Sequence, residues 1–164
     1  MIVTNSTPLI YLAKIGKLRK IINYFGQLVI PETVYYETVR KGIELGKPEA
    51  NIINKLISEG HIRIEKIEKI LGEIKGLHRG EAEALSLAKA KSCELIVDDK
   101  IAYQYAKILG IKVLRSIRVM LTLTKNKRLT LNDLEKNLRL LSKSGFWLTA
   151  DVYARILEEA HATR

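Results

Sequence analysis

Three acidic positions far apart along the chain sit at predicted element ends: Glu37, Glu81 and Asp99, with Asp98 beside the last. Mg²⁺ takes one or two protein carboxylates and completes its octahedron with waters and substrate phosphate oxygens. A pair of such ions can activate an attacking water and stabilise a leaving oxygen, which suits phosphodiester hydrolysis. Asn5 ends the first predicted strand, and Ser6 and Thr7 follow it with hydroxyls able to contact a phosphate or a metal. Each residue also has a plainer use. Glu37 could be a solvated helix residue, Glu81 and Glu83 ordinary first-turn acids that complement a helix dipole, and Ser6, Thr7, Asp98 and Asp99 helix caps. Their placement at compatible element ends favours the shared chemistry.

The elements that would bring them together centre on Gly80 to Lys100, GEAEALSLAKAKSCELIVDDK. An acidic helix start leads into an Ala/Leu helix over Ala82 to Ala90, then into a buried strand, Leu95 to Val97, read as the central strand. Helix and strand run antiparallel, so Glu81 and Asp99 reach one end of the sheet, beyond the carboxyl ends of the strands, where open α/β sheets bind ligands. Ile2 to Thr4 and Leu28 to Ile30 predict two more strands. Pro31 begins a helix carrying Glu37 beside an apolar face marked by Val34. Pro48 to Glu59 is helical, His61 to Ile64 is a strand, an edge or a linker, and residues 65–79 show no clear pattern. Further on come a helix over Ile101 to Leu109, a strand at Val113 and Leu114, and a helix from Ser116 to about Lys125. After the basic KNKR loop, Thr130 caps a helix that Gly145 stops, and a last helix opens at Thr149.

Strands alternating with helices imply βαβ units and a mainly parallel sheet, an α/β fold. With no repeat or linker, residues 1–164 read as one domain, with 145–164 as a C-terminal tail helix. Phe146, Trp147, Leu148, Val152, Tyr153 and Ile156 make that tail apolar enough to pack on its own sheet, a second subunit or a partner helix. Tyr35, Tyr36, Tyr103, Tyr105 and Trp147 read as core or half-buried residues rather than as base-stacking ones.

The chain of 164 residues carries a formal charge of +10 and a sequence pI of about 9.7. That excess of Lys and Arg attracts polyanions, of which nucleic acid is the commonest in the cytoplasm. A carboxylate cluster inside a basic protein therefore suggests a metal site within and a nucleic-acid surface without. No apolar run reaches membrane-span length, and the start MIVTN lacks the plan of a signal peptide, so the expected location is cytoplasmic with no membrane partner. Cys93, the single cysteine, reads as a buried thiol. His61, His78 and His161 lack the spacing of a zinc site.

Several stretches together resemble the PIN-domain family: IVTNSTPLIYLAKIGKL, VIPETVYYETV, HRGEAEALSLA, LIVDDKIAYQYAKILG and SGFWLTADVYARIL. The likeness covers nearly the whole chain and is greatest to the branch of VapC-like toxins. It implies a three-layer α/β/α sandwich around a parallel sheet and Mg²⁺- or Mn²⁺-dependent endoribonuclease chemistry on single-stranded RNA. It also implies a homodimer and a cognate antitoxin protein as partner. By position, the family's acids fall on Asn5, Glu37, Glu81 and Asp99, with Asp98 beside the last and Ser6, Thr7 and Lys100 in support. Asn5 departs from the family's acid: an amide oxygen can still accept a metal bond but brings no charge. The resemblance therefore implies weak, Mn²⁺-favoured cleavage, or else a non-catalytic PIN-like module that binds RNA or protein.

Overall fold

The computed structural model describes residues 1–72 and 74–162. Its strands are short: β1 (Ile2–Thr4), β2 (Leu28–Pro31), β3 (Ile62–Glu65), β4 (Glu94–Ile96) and β5 (Val113–Leu114), with β1 and β2 buried throughout and edge strand β3 exposing Arg63. All pair in parallel, in the order β3-β2-β1-β4-β5. Side chains alternate between faces along a strand, so Ile2, Leu28, Ile30, Ile62 and Ile96 enter one core while Val3, Val29, Leu95 and Val97 enter the other. Near-continuous apolar strands of this kind need helices on both sides of the sheet.

Those helices form the outer layers. Against Val3, Val29 and Leu95 pack α6 (Arg79–Lys91) and α7 (Lys100–Ile108), through Ala84, Leu85, Ala88, Ala102 and Ala106. The opposite core is larger. It receives α1 (Ser6–Lys14), α2 (Leu18–Phe25), α5 (Pro48–Ser58), α8 (Ser116–Lys125), α9 (Leu131–Lys143) and α10 (Ala150–His161). The result is the expected three-layer α/β/α sandwich. Among the described residues no helix is long and apolar enough to cross a membrane.

Several expectations change in detail. The middle of the sheet belongs to β1, flanked by β2 and β4, and not to the strand before Asp98. Pro31 closes β2 as the partner of Glu65, and the helix begins at Glu32. That helix runs through α3 (Glu32–Tyr35), a π-wound turn (Tyr36–Arg40) and α4 (Lys41–Glu44). Of the stretch read as strand, edge or linker, Ile62–Glu65 forms edge strand β3, and His61 lies before it. In the tail, Phe146, Leu148, Val152, Tyr153 and Ile156 pack on the chain's own core, whereas Trp147 is 87% exposed and is no core residue. Residues 163 and 164 of the expected tail lie outside the described residues.

Candidate active site at the strand ends

In the order β3-β2-β1-β4-β5 the chain moves outward from β1 to β3, then returns to β4 on the other side of β1. The strand order therefore reverses between β1 and β4. Open α/β sheets bind ligands in the crevice at such a switch point, outside the carboxyl ends of the strands. Asn5 directly follows β1, Asp98 and Asp99 follow β4 by one residue, and Arg115 directly follows β5.

Two hollows share this edge. A cavity of about 160 Å³ is lined by Asn5, Ser6, Thr7, Glu37, His78, Gly80 and Glu81. A larger cleft of about 700 Å³ takes in Thr7, His78 and Glu81 again, with Asp98, Asp99, Arg115 and Trp147 among its walls. Glu81 and Thr7 thus face both. Lys100 is exposed at the start of α7 and lines neither.

Asn5 stands at the cap position of α1, yet its side chain makes no capping bond. It is 3% exposed, and its Oδ1 is buried with no hydrogen-bond partner among the described residues. An orphaned buried acceptor costs about 1–3 kcal/mol. Such an atom in a carboxylate-lined cavity suits a cation. Beside it, the Ser6 hydroxyl donates to Oε2 of Glu37.

Glu37 reaches the cavity from the π-wound turn, a winding that recurs at functional sites. Inside that turn the Thr38 hydroxyl donates to the Val34 carbonyl at 2.7 Å. Across from it, a Cβ on Gly80 would stand 3.3 Å from Glu37 Oε2 and 3.5 Å from Val34 Cγ2. The missing side chain lets the start of α6 approach the Glu37 carboxylate.

Glu81 Oε2 accepts the His78 N–H at 3.0 Å, a bond that fastens the first turn of α6. Burial, and then the charges of Asp99 and Glu37, push the Glu81 carboxyl above its usual range, while the His78 bond opposes them only in part. Asp99 caps α7, its Oδ1 accepting the Ala102 N–H at 2.8 Å.

Asp98 has a different occupation. Its Oδ1 accepts the Ser116 N–H at 2.8 Å and its Oδ2 the Ser116 hydroxyl at 2.6 Å, so both oxygens fasten the start of α8. Burial raises its carboxyl, and the Ser116 bonds do not fully offset that. Glu83 points elsewhere: it is 5% exposed and paired with Arg79.

Among the described residues, none of Glu37, Glu81, Asp98 and Asp99 forms an ion pair with a lysine or arginine. Other acids of this basic chain do: Glu65 with Lys91 and Arg63, Glu94 with Lys112, and Glu159 with Arg118 and Lys125. Nor do three His, Cys, Asp or Glu side chains among the described residues stand close enough to form a ready-made metal cage. That is compatible with Mg²⁺, which keeps several waters and uses one or two carboxylates. The candidate ligands Asn5, Glu37, Glu81 and Asp99 offer oxygens, and the orphaned Asn5 Oδ1 beside carboxylates that have no basic partner among the described residues fits a hard divalent cation.

His78 and Arg115 belong to the site without having been marked as such in the sequence. The signals were available: His78 stands three residues before Glu81, in the spacing of a helix-capping pair. Arg115 occupies the same place after β5 that Asn5 occupies after β1. Its guanidinium lies 4.7 Å from the centre of the Tyr103 ring.

Comparison with known proteins agrees with this architecture. A PilT N-terminus domain protein from the hyperthermophilic archaeon Sulfolobus solfataricus shares the fold at 21% identity and a TM-score of 0.51, over 73% of this chain and 90% of that one. No curated protein sequence matches the chain. The family model DUF3368, described as a PIN domain, matches residues 1–162. The chain thus belongs to the PIN-domain family, whose members are in general metal-dependent nucleases.

Proposed function

We propose that this protein is a metal-dependent endoribonuclease acting on single-stranded RNA. One observation carries the reading. At the switch point of the sheet, a buried and unpartnered Asn5 Oδ1 shares a cavity with Glu37 and Glu81, neither of which is paired with a basic side chain among the described residues. Asn5, Glu37, Glu81 and Asp99 would hold the cation, Mg²⁺ or Mn²⁺, and Ser6 and Thr7 support the cavity wall. A bound ion of this type supplies Lewis-acid stabilisation of charge on a phosphate and lowers the pKa of water. The chain's own groups do the positioning. Ser6 fixes Glu37, the His78 N–H fixes Glu81, and the Ala102 N–H fixes Asp99. Arg115 offers a cation in the cleft where a strand's phosphates would run, and the charge of +10 draws the polyanion in.

Purified protein incubated with RNA and Mn²⁺ should cleave it, and Glu81→Gln and Asp99→Ala should abolish the cleavage. The glutamine side chain still offers an oxygen to the His78 N–H, so the first variant keeps the helix start while losing the charge. Cleavage that persists in both variants belongs to a contaminant and ends the proposal.

Asn5 favours one second reading, a PIN-like module with a weakened site that binds RNA or a protein without cutting. Calorimetric titration with Mn²⁺ separates the two: saturable binding supports the enzyme, and its absence supports the module. The wider biological setting is proposed chiefly on family likeness. It is that of a toxin working as a homodimer in the cytoplasm and held inactive by a cognate antitoxin. Exposed Tyr36, Ile43, Leu45 and Ile52, on neighbouring turns of the α3–α5 region, supply apolar surface for such contacts.

A further inference from the structure

Trp147 is the most exposed of the large apolar side chains among the described residues. An indole carries one of the largest apolar surfaces of any side chain and is usually placed where that surface is used. Its neighbours show that the exposure does not come from a loose segment. Phe146 and Leu148, on either side, pack on the core, and the Phe146 ring meets Tyr11 edge-on at 5.2 Å and 82°. Gly145, with φ +92°, turns the chain away from the end of α9. On the far side the Thr149 hydroxyl oxygen accepts the Val152 N–H at 3.2 Å and opens α10. The backbone is thus anchored before and after Trp147, and the indole stands out from a held ledge.

That ledge forms part of the wall of the large cleft, with Glu81, Asp98, Asp99 and Arg115. The cleft therefore combines acids suited to a cation, one guanidinium suited to a phosphate, and one exposed aromatic face. We infer that Trp147 is a stacking platform for an unpaired base of the RNA strand whose phosphodiester lies over the acids. The inference rests on the nuclease reading above and adds to it a residue that selects for single strands. A base paired within a duplex keeps its faces stacked on its neighbours, whereas an unpaired base has a face free for an aromatic side chain. Stacking also tolerates any base, so the platform gives strand selectivity without a fixed sequence.

Trp147 is the only tryptophan in the chain, so intrinsic tryptophan fluorescence reports on it alone. The whole protein is titrated with a short single-stranded oligoribonucleotide, once with Mg²⁺ and once in EDTA. Duplex RNA of equal length and a strand of equal length with abasic sites in place of bases serve as comparisons. Saturable quenching by the single strand, and little by the other two, is the expected result. Both variants lack the reporter indole, so their binding is read, beside the wild type, by anisotropy of a fluorophore-labelled single strand: Trp147→Ala should weaken it about tenfold, and Trp147→Phe should recover part of the loss. The exposed position keeps both variants folded. Equal quenching by the abasic strand, or undiminished affinity in Trp147→Ala, overturns the platform and leaves the indole as a surface for a protein partner. The nuclease reading is judged separately: Mn²⁺-dependent cleavage without selective quenching sinks only the platform. Selective quenching without cleavage keeps the platform and sinks the nuclease.

Discussion

The Ser6 hydroxyl donates to Oε2 of Glu37 across a sequence separation of 31 residues. Ser6 opens the helix that leaves β1, and Glu37 lies on the helix that leaves β2, so the bond ties two neighbouring strand ends together. Removing it in Ser6→Ala frees the Glu37 carboxylate to rotate away from Asn5. Losing such an outer partner of a metal ligand typically weakens affinity about 10- to 100-fold. Calorimetry should show weaker Mn²⁺ binding at near-unchanged thermal stability, and wild-type affinity in the variant would mean that Glu37 is not held for a metal.

Asn5→Asp places a carboxylate where a neutral amide now sits, 3% exposed and beside Glu37 and Glu81. Without metal the added charge meets like charges in a buried place, and the melting temperature should fall. With Mn²⁺ the loss should be reversed by mass action, which is worth about 2.7 kcal/mol when free metal is a hundredfold above Kd. RNA cleavage should rise in parallel. Melts with and without Mn²⁺ check the first half, and reduced cleavage would show that the amide has a role of its own.

Asp98 gives a contrast between two substitutions. Asp98→Ala leaves the Ser116 N–H and hydroxyl without their acceptor and should cost about 1–3 kcal/mol. Asp98→Asn keeps an acceptor for the N–H and removes a buried charge, so urea unfolding should find it close to the wild type. If Asp98→Asn also keeps wild-type Mn²⁺ affinity, the residue fastens α8 and is no ligand. A loss of Mn²⁺ affinity would place it among the ligands.

Glu159 fastens α10 to α8 by accepting from Lys125 at 2.8 Å and from Arg118 at 2.7 Å. Lys125, then Arg118, hold its carboxyl below the ordinary value of 4.5. The folded state thus favours the charged form, so the contribution is present above pH 4.5 and is lost as pH falls through the lower, folded value. Glu159→Gln should cost about 0.2–1 kcal/mol at neutral pH and low salt, and less at high salt, because the carboxylate is partly exposed and solvent screens the pairs. As pH falls through that lower, folded value the thermal midpoints of variant and wild type should converge. A gap that stays constant with pH would show that the ion pairs carry none of the difference.

Local sequence settled most of the elements, although Pro31 closes β2 instead of opening a helix and β3 was not distinguishable from a linker. Apolar strands such as Ile2–Thr4 and Leu28–Pro31, alternating with amphipathic helices, fit only a sheet covered on both sides. In a parallel sheet every strand delivers its following residue to one edge, which made the placing of Asn5, Asp98 and Asp99 at the same edge of the sheet legible from the sequence.

Tertiary structure decided what depends on partners distant in sequence. The placing of β1 in the middle of the sheet, the π-wound turn under Glu37, the close approach of Gly80 and the Ser6 bond all arise from packing between elements. Asp98 and Asp99 look alike as neighbouring carboxylates, yet one fastens Ser116 and the other caps its own helix. Trp147 shows the limit most clearly. Composition places an indole in the core, but Phe146 and Leu148 take the available apolar contacts, and the ring is left at the mouth of the cleft.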